Sequence, residues 1–326
     1  MRRRTRTLGL IWLGLAVSAV FTYLAVRDVR LGEVWDGLKS SNYWWVVPSV
    51  ALLLVALALR ALRWQFLFAA ATRPPYRPVL SATILGQFFN NVLPARAGEA
   101  ARVIALNRSA RTSRAEIVAT VVVERVYDVL ALLVLLFVLL PWLPRVTWLR
   151  TAAILAIALV AGTAVAVVVL VLFHERPFRF LLRPLARLPF VSVERTERAA
   201  AGLLRGAASL RDVRLAAIAL VLTAVSWVLL ALSSWVLMRG FDLDLSPLAG
   251  GLLTVAVGLS LILPSSPAAV GVFEAATLVS LKAYGIPKSA ALSYALVLHA
   301  VNFFPYVAAG LVVLQAHALS IRGRTP

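Results

Sequence analysis

About six stretches of this chain are apolar over some 20 residues or more, the length of helix that crosses a bilayer. They run from Leu8 to Val26, from Tyr43 to about Phe68, from Ile117 to Leu140, from Thr151 to Phe173, from Leu215 to Leu237 and from Ser289 to about Ala316. Only helices that satisfy their own backbone groups, or closed barrels, survive in lipid, and unbroken runs of this length are helices. The chain is 61% hydrophobic and 14% charged, against roughly 45 to 50% and about 25% in soluble domains. The fold class is therefore an all-α polytopic membrane protein, read as a single membrane domain over residues 1–326. Arg2, Arg3, Arg4 and Arg6 precede the first run as they would a secretory signal, but the run exceeds the usual signal core of roughly 7 to 15 residues. It reads as an uncleaved first helix, and Tyr43, Trp44 and Trp45 read as an interfacial aromatic anchor for the second.

Two further apolar regions are broken. Residues 78–107 are interrupted by Asn90, Asn91, Pro94, Arg96, Gly98 and Glu99, and residues 247–284 by Pro264, Ser265, Ser266, Pro267, Gly271 and Glu274. Each leg is short for a tilted span, so two re-entrant helical hairpins are the better reading. The expected architecture is thus about six transmembrane helices plus two hairpins. Leu93-Pro94 followed by Gly98-Glu99-Ala100-Ala101 is echoed by Leu263-Pro264 followed by Gly271 and Glu274-Ala275-Ala276. Together with the flanking spans, this pairs a first half, 8–140, with a second, 215–316, as an inverted repeat.

The formal net charge of +19 raises the question of a nucleic-acid partner, and the placement of the charge answers it. With the N-terminus inside, most of the 33 Lys and Arg fall on the inner side. The outer exceptions are Arg27, Arg30, Lys39, Arg145, Arg150, Arg239, Lys282 and Lys288. That is the positive-inside bias of a plasma-membrane protein with both termini cytoplasmic, and it removes the main support for a nucleic-acid role. The parity is the same if each hairpin is two full spans. Residues 174–214 form a basic connector in which Ala199, Leu203, Ala207 and Leu210 recur opposite Arg195, Arg198, Arg205 and Arg211, as in an amphipathic helix on anionic lipid of the inner leaflet.

An ionisable residue at membrane depth costs about 2.5 to 3.5 kcal/mol on insertion scales, so it faces protein or a wet cavity. Glu124, Arg125 and Asp128 lie in the third span, where Arg125 can neutralise one carboxylate of its own helix and leave the other for a partner. Candidate partners are Arg96 and Arg102, which flank Glu99, and Arg60 and Arg63. The last two read equally as snorkelling anchors beside Trp64. A cluster of Arg at broken helix ends suits an anionic headgroup, since the guanidinium fork matches phosphate or carboxylate. Asn90 and Asn91 in the first hairpin, Ser265, Ser266 and Glu274 in the second, and His299 and Asn302 in the last span complete the candidate binding residues. His299 is either a proton relay or a packed, hydrogen-bonded histidine. Gly98 and Gly271 read as turn residues.

Several classes drop out. The absence of cysteine excludes disulfides, thiolate metal sites and thiol nucleophiles. No Gly-rich Lys-Ser/Thr loop is present, so neither a nucleotide nor any other cofactor is expected, and no resident metal. Asp242-x-Asp244 is the best support for an enzyme acting on a lipid-linked sugar or phosphate, although a solvated turn fits it as well.

Taken in order, Arg60-x-x-Arg63-Trp64, Asn90-x-x-Leu93-Pro94 with Arg96, Gly98, Glu99 and Arg102, Glu124-Arg125-x-x-Asp128 and Gly271-Val272-Phe273-Glu274 resemble a flippase-like membrane family. It includes the transmembrane flippase region of lysylphosphatidylglycerol synthases. The resemblance implies translocation of a membrane lipid, or a polyprenyl-lipid role, in a prokaryotic plasma membrane. It does not imply aminoacyl transfer, and it leaves room for a non-catalytic scaffold seating a biosynthetic enzyme. The sequence departs from the family's Pro-Gly-Gly form at Pro264-Ser265-Ser266-Pro267, and His299 stands where a fixed basic residue is expected. The opposite entry of the hairpins predicts that Asn91→Cys, in a chain with no cysteine of its own, reacts with an impermeant maleimide from the inner face; labelling from outside alone would sink that topology.

Overall fold

The computed structural model describes residues 2–93, 97–144, 212–261 and 265–322, together with Gly162. Among these residues the chain is helical throughout, with no strand. The ten α-helices are α1 (Arg2–Val26), α2 (Leu31–Ser40), α3 (Val46–Phe66), α4 (Tyr76–Val92), α5 (Ala97–Ala110), α6 (Arg114–Leu139), α7 (Val213–Arg239), α8 (Pro247–Ser260), α9 (Val272–Lys282) and α10 (Lys288–Arg322). The span expected at Thr151 to Phe173, apart from Gly162, and the connector as far as residue 211 lie outside the described residues.

Among the described residues three segments are long and apolar enough to cross a membrane: Tyr43–Phe66, which adds a 3-10 turn to α3, Val213–Arg239 and Lys288–Ala316. At about 1.5 Å per residue, α6 with its 26 residues is also long enough. It differs in carrying Glu124, Arg125 and Asp128. The broken regions form helical pairs as expected, α4 with α5 and α8 with α9. Their 17, 14, 14 and 11 residues each fall short of the roughly 30 Å hydrocarbon core. The sequence reading missed α2. Its Val34 is buried and accepts a hydrogen bond from Ser293 of α10, which packs against Gly37.

Local chemistry explains the boundaries. Leu93, the residue before Pro94, is extended (φ −105°, ψ 147°) and ends α4, because proline disfavours the helical region for its predecessor. Ser113 caps α6 by accepting from Glu116 N at 3.2 Å, and Asp212 caps α7 by accepting from Arg214 N and Leu215 N. Pro247 opens α8, where its missing N–H costs nothing. Gly271 starts α9 at φ +85°, and its N–H donates to Glu274 Oε2 at 2.6 Å.

Three apolar clusters flank a central space. One joins α2, α7, α8, α9 and α10 around Leu237, Phe273, Leu281, Tyr294 and Leu298. A second joins α3 to α6 around Trp64, Phe68, Val79, Leu106 and Ile117. The third joins α6, α7 and α8 through Leu132, Leu136, Trp227 and Leu252. The long helices α3 and α7 are stitched together near one end by reciprocal bonds: Ser49 Oγ donates to Ser233 O at 2.9 Å, and Ser233 Oγ to Ser49 O at 2.8 Å. Small residues and hydroxyl bonds of this kind hold helices where apolar burial gives no net drive.

Gly98 corrects the sequence reading, since it serves a close approach of helices rather than a turn. It lies in the first turn of α5 against α4, where its N–H donates to Asn90 Oδ1 at 3.0 Å and an added Cβ would strike Gly86 O. Gly98→Ala should cost about 1 to 3 kcal/mol by overpacking. Thermal melting in detergent checks this, with Gly32→Ala, which meets open space, as the unaffected control.

Candidate functional site

Glu124 and Asp128 lie one turn apart on α6, and both are buried. Left alone at this depth they would be protonated or would drive the helix apart, so the neighbouring helices supply cations. Arg63 of α3 is fully buried and spans both: Nη2 donates to Glu124 Oε1 at 2.9 Å and Nη1 to Asp128 Oδ1 at 2.6 Å. Nη1 also reaches Thr223 Oγ1 of α7 at 3.2 Å. From α5, Arg102 Nη2 donates to Glu124 Oε2 at 2.6 Å, with its guanidinium over the Trp64 ring at 3.8 Å. Trp64 Nε1 donates to Thr120 and Trp227 Nε1 to Asp128. Four helices thereby share one ionic cluster.

The sequence places Arg125 as an intrahelical partner, and the structure modifies this. Its Nη2 bonds Glu99 of α5, while Asp128 Oδ2 lies at 3.5 Å and the side chain remains 47% exposed. Arg63 is the group that bonds both buried carboxylates, with Arg102 as the second partner of Glu124. Its side chain has 0% exposure, so the reading as a snorkelling anchor does not hold for it.

In front of this cluster lies a cavity of about 580 Å³, within the usual range for ligand sites. Of the candidates from sequence, Arg60, Asn90, Asn91, Glu99, Arg102, Glu124, Arg125, Asp128, Ser265, Ser266, His299 and Asn302 all line it. Arg63 and Glu274 stand behind the wall, and Arg96 lies outside the described residues. Asn90 is committed to Gly98 N, while Asn91 and Asn302 donate to the backbone oxygens of Gln87 and Leu298.

Arg60 stands apart within this wall. It makes no ion pair among the described residues, and its Nε and Nη2 are buried without a hydrogen-bond partner. Its guanidinium lies 4.5 Å from the centre of the Trp227 ring. At this end Arg60, Arg63, Arg102 and Arg125 face Glu99, Glu124 and Asp128, so one positive charge is unmatched among the described residues. A cavity lined in this way suits an anion.

The opposite wall is chemically different. Glu274 on α9 accepts from Gly271 N and bonds His299 Nδ1 of α10, whose ring stacks on Phe273 with centroids 4.7 Å apart. Ser265 and Ser266 sit in a turn where Ala268 (φ 57°) and Ala269 (φ 60°) are left-handed, a costly state for alanine. The turn rests on α1, where Ser266 N donates to Ser18 Oγ at 2.8 Å and Gly14 touches Ser265.

The model of the family described as the lysylphosphatidylglycerol synthase TM region matches residues 11–310. The chain belongs to that family. No match was found among curated proteins. The matched stretch includes the ionic cluster, the Glu274 and His299 pair and the whole cavity wall, so this family's membrane region is what builds the site. Family and apolar helices together make this an integral membrane protein.

Sequence reasoning missed Trp227, Tyr306, Gln87 and Thr254, which also line the cavity. Trp227 left a signal, because an indole N–H within an apolar span requires a partner. The Asp242-x-Asp244 pattern is not brought to the cavity. Asp244 is 97% exposed beside Arg239 at 3.6 Å, and Asp242 sits in a left-handed turn (φ 52°). Among the described residues, no group of three or more His, Cys, Asp or Glu is placed to hold a metal.

Removing Arg63 takes one of two Arg partners from Glu124 and leaves buried Asp128 with the Trp227 N–H and Arg125 at 3.5 Å, whereas removing the half-exposed Arg125 leaves both buried carboxylates with Arg63. Arg63→Ala should cost about 3 to 5 kcal/mol and sharply lower the yield of monodisperse protein. Arg125→Ala should melt much closer to wild type, and equal losses in the two variants would contradict this hierarchy.

Proposed function

We propose that the protein is a lipid flippase or scramblase, not an enzyme, that moves a lipid with an anionic phosphate-bearing headgroup across a prokaryotic plasma membrane. The observation that carries this reading is Arg60, a guanidinium without an ion pair in the wall of a cavity of about 580 Å³ in an integral membrane protein. A buried cation with open donors is stabilised by an anion, and the fork of Arg favours phosphate or carboxylate. The paired cations at the same end keep the empty site from being a bare positive cluster.

In this reading α4 with α5 and α8 with α9 are re-entrant hairpins entering from opposite sides, and the two halves form an inverted repeat. The pairing of side chains supports the repeat. Glu99 on the second leg of one pair bonds Arg125, 26 residues later, and Glu274 on the second leg of the other bonds His299, 25 residues later. The headgroup meets Arg60, Arg102 and Arg125 at one end and Ser265, Ser266, His299 and Asn302 at the other. Its acyl tails remain in the bilayer. The termini are cytoplasmic, and the basic connector lies on anionic lipid of the inner leaflet.

Proteoliposomes carrying fluorescent NBD-phosphatidylglycerol or NBD-phosphatidylcholine, read by dithionite quenching, test this. Wild type should move the anionic probe in preference to the zwitterionic one. Arg60→Ala should lower anionic transfer about tenfold or more, the value of a charged hydrogen bond, at unchanged melting temperature. Arg60→Lys should fall between. Unchanged transfer in Arg60→Ala, Arg102→Ala and Glu274→Gln would remove this cavity from the substrate path and favour a scaffold that co-purifies with a biosynthetic enzyme.

A further inference from the structure

Two kinds of carboxylate stand in or behind the cavity wall. Glu99, Glu124 and Asp128 are each paired with Arg, a cation that keeps its charge at any physiological pH. Among the described residues Glu274 has neither an Arg nor a Lys partner, and its one side-chain partner is His299. The second half of the chain thus rebuilds the Glu99 and Arg125 pair with a titratable base in place of the permanent cation.

Geometry fixes where a proton is held. Glu274 is buried, and its Oε2 accepts from Gly271 N, which keeps the carboxylate ionised at the start of α9. Its Oε1 requires a donor, so neutral His299 carries its hydrogen on Nδ1. Nε2 is then the free acceptor, with no hydrogen-bond partner among the described residues, on a ring that lines the cavity and is 13% exposed. A proton arriving from the cavity binds Nε2 and gives imidazolium beside carboxylate. The pair passes from one negative charge to none.

The surrounding elements leave this change uncompensated. From α1 the turn and the start of α9 meet Ser18 and Thr22, and Tyr23 is 67% exposed. Helix α8 has no titratable residue, and α4 brings Gln87, Asn90 and Asn91 to the cavity while Tyr76 and Arg77 lie at its other end. Helix α7 brings Ser233 and Ser234, with Arg239 at its end. Among the described residues, the ionisable groups that share the cavity with His299 are Arg60 on α3, Tyr306 on α10 and the paired cluster of α5 and α6. Glu33, Asp36 and Lys39 belong to α2, which meets α10 at Ser293, and Glu33 is held below the usual carboxylate range by its hydrogen bond from Arg30. Lys282 and Lys288 lie beyond the pair at the ends of α9 and α10, and Lys288 is bound to the backbone of Leu24 and Arg27.

We propose that the Glu274 and His299 pair is a proton-binding site through which movement of the anionic headgroup is coupled to proton movement in the same direction. The coupling is electrostatic. An anion in the cavity disfavours the negative pair and favours the neutral, protonated one, and by linkage a bound proton favours the anion to the same extent. The proposal rests on the transport reading above, and its test separates the two.

The protein has three histidines, His174, His299 and His317, so 15N-histidine NMR of the full chain in detergent resolves the site, with the signal assigned by its loss in His299→Gln. The expected result is a neutral ring with hydrogen on Nδ1 that gains a proton at Nε2 as the sample is acidified within the range over which the protein stays folded. A ring that keeps one state throughout that range overturns the proposal. In proteoliposomes an imposed pH gradient should enrich NBD-phosphatidylglycerol in the leaflet facing the alkaline side, beyond protein-free vesicles, and a protonophore should abolish the enrichment. His299→Gln should lose the response. So should His299→Arg, which copies the fixed charge of Arg125 and guards against simple loss of fold. Lipid movement that ignores the gradient in wild type, or a response that survives both substitutions, overturns the coupling. Absence of any lipid movement removes the transport reading instead, and with it the coupling, while the NMR titration alone decides the proton site.

Discussion

The structure depends on one guanidinium in the wrong solvent. Glu124 and Asp128 sit on a helix at a depth where an isolated carboxylate is untenable, and Arg63 answers both from α3 with two short hydrogen bonds. Because lipid is as apolar as the side chains of these helices, burial of Leu and Val gives little reason for one helix to choose another. Polar ties make that choice. Arg63 joins α3 to α6 and, through Thr223, to α7; Arg102 adds α5; the Ser49 and Ser233 bonds close the opposite end of the α3 and α7 contact. Tyr294 contributes one more, donating to Ser234 O at 2.7 Å and tying α10 to α7. The cavity is what remains between helices positioned in this way.

Much of this was legible in the sequence because lipid imposes simple rules. Long apolar runs announced the three candidate spans found among the described residues, in α3, α7 and α10, and the charges of α6 announced a polar interior. The Leu-Pro interruptions marked where α4 ends. Two kinds of information were not there. Arg60 and Arg63 are three residues apart on one helix and chemically identical, yet Arg63 turns toward α6 and is neutralised while Arg60 meets the face of Trp227. Only the packing of α6 and α7 separates them. The partners of Arg125 and Glu274 likewise lie on other helices, at separations of 26 and 25 residues. Helix α2 was a different omission. Its run is short and charged, although Leu31, Val34, Trp35 and Leu38 recur at helical spacing.

The two ends of the cavity are built from unlike materials. One is a lattice of permanent charges whose members hold one another in place, so its electrostatic field is a fixed property of the fold. The other is made of hydroxyls, an amide and an acid–base pair, set in a turn whose backbone departs from relaxed geometry at Ala268 and Ala269. Permanent charges and titratable groups thus line different ends of one cavity.

The contact of that turn with α1 has a mechanical corollary. Ser18, with Gly14 and Thr22 a turn to either side, offers the 265–271 backbone a flat face and one hydrogen bond, and Gly271 approaches too closely to tolerate a side chain. Any displacement of the turn must therefore either break that seat or take α1 with it. Helix α1 and the 265–271 turn thereby move as one body for as long as the Ser18 hydrogen bond holds.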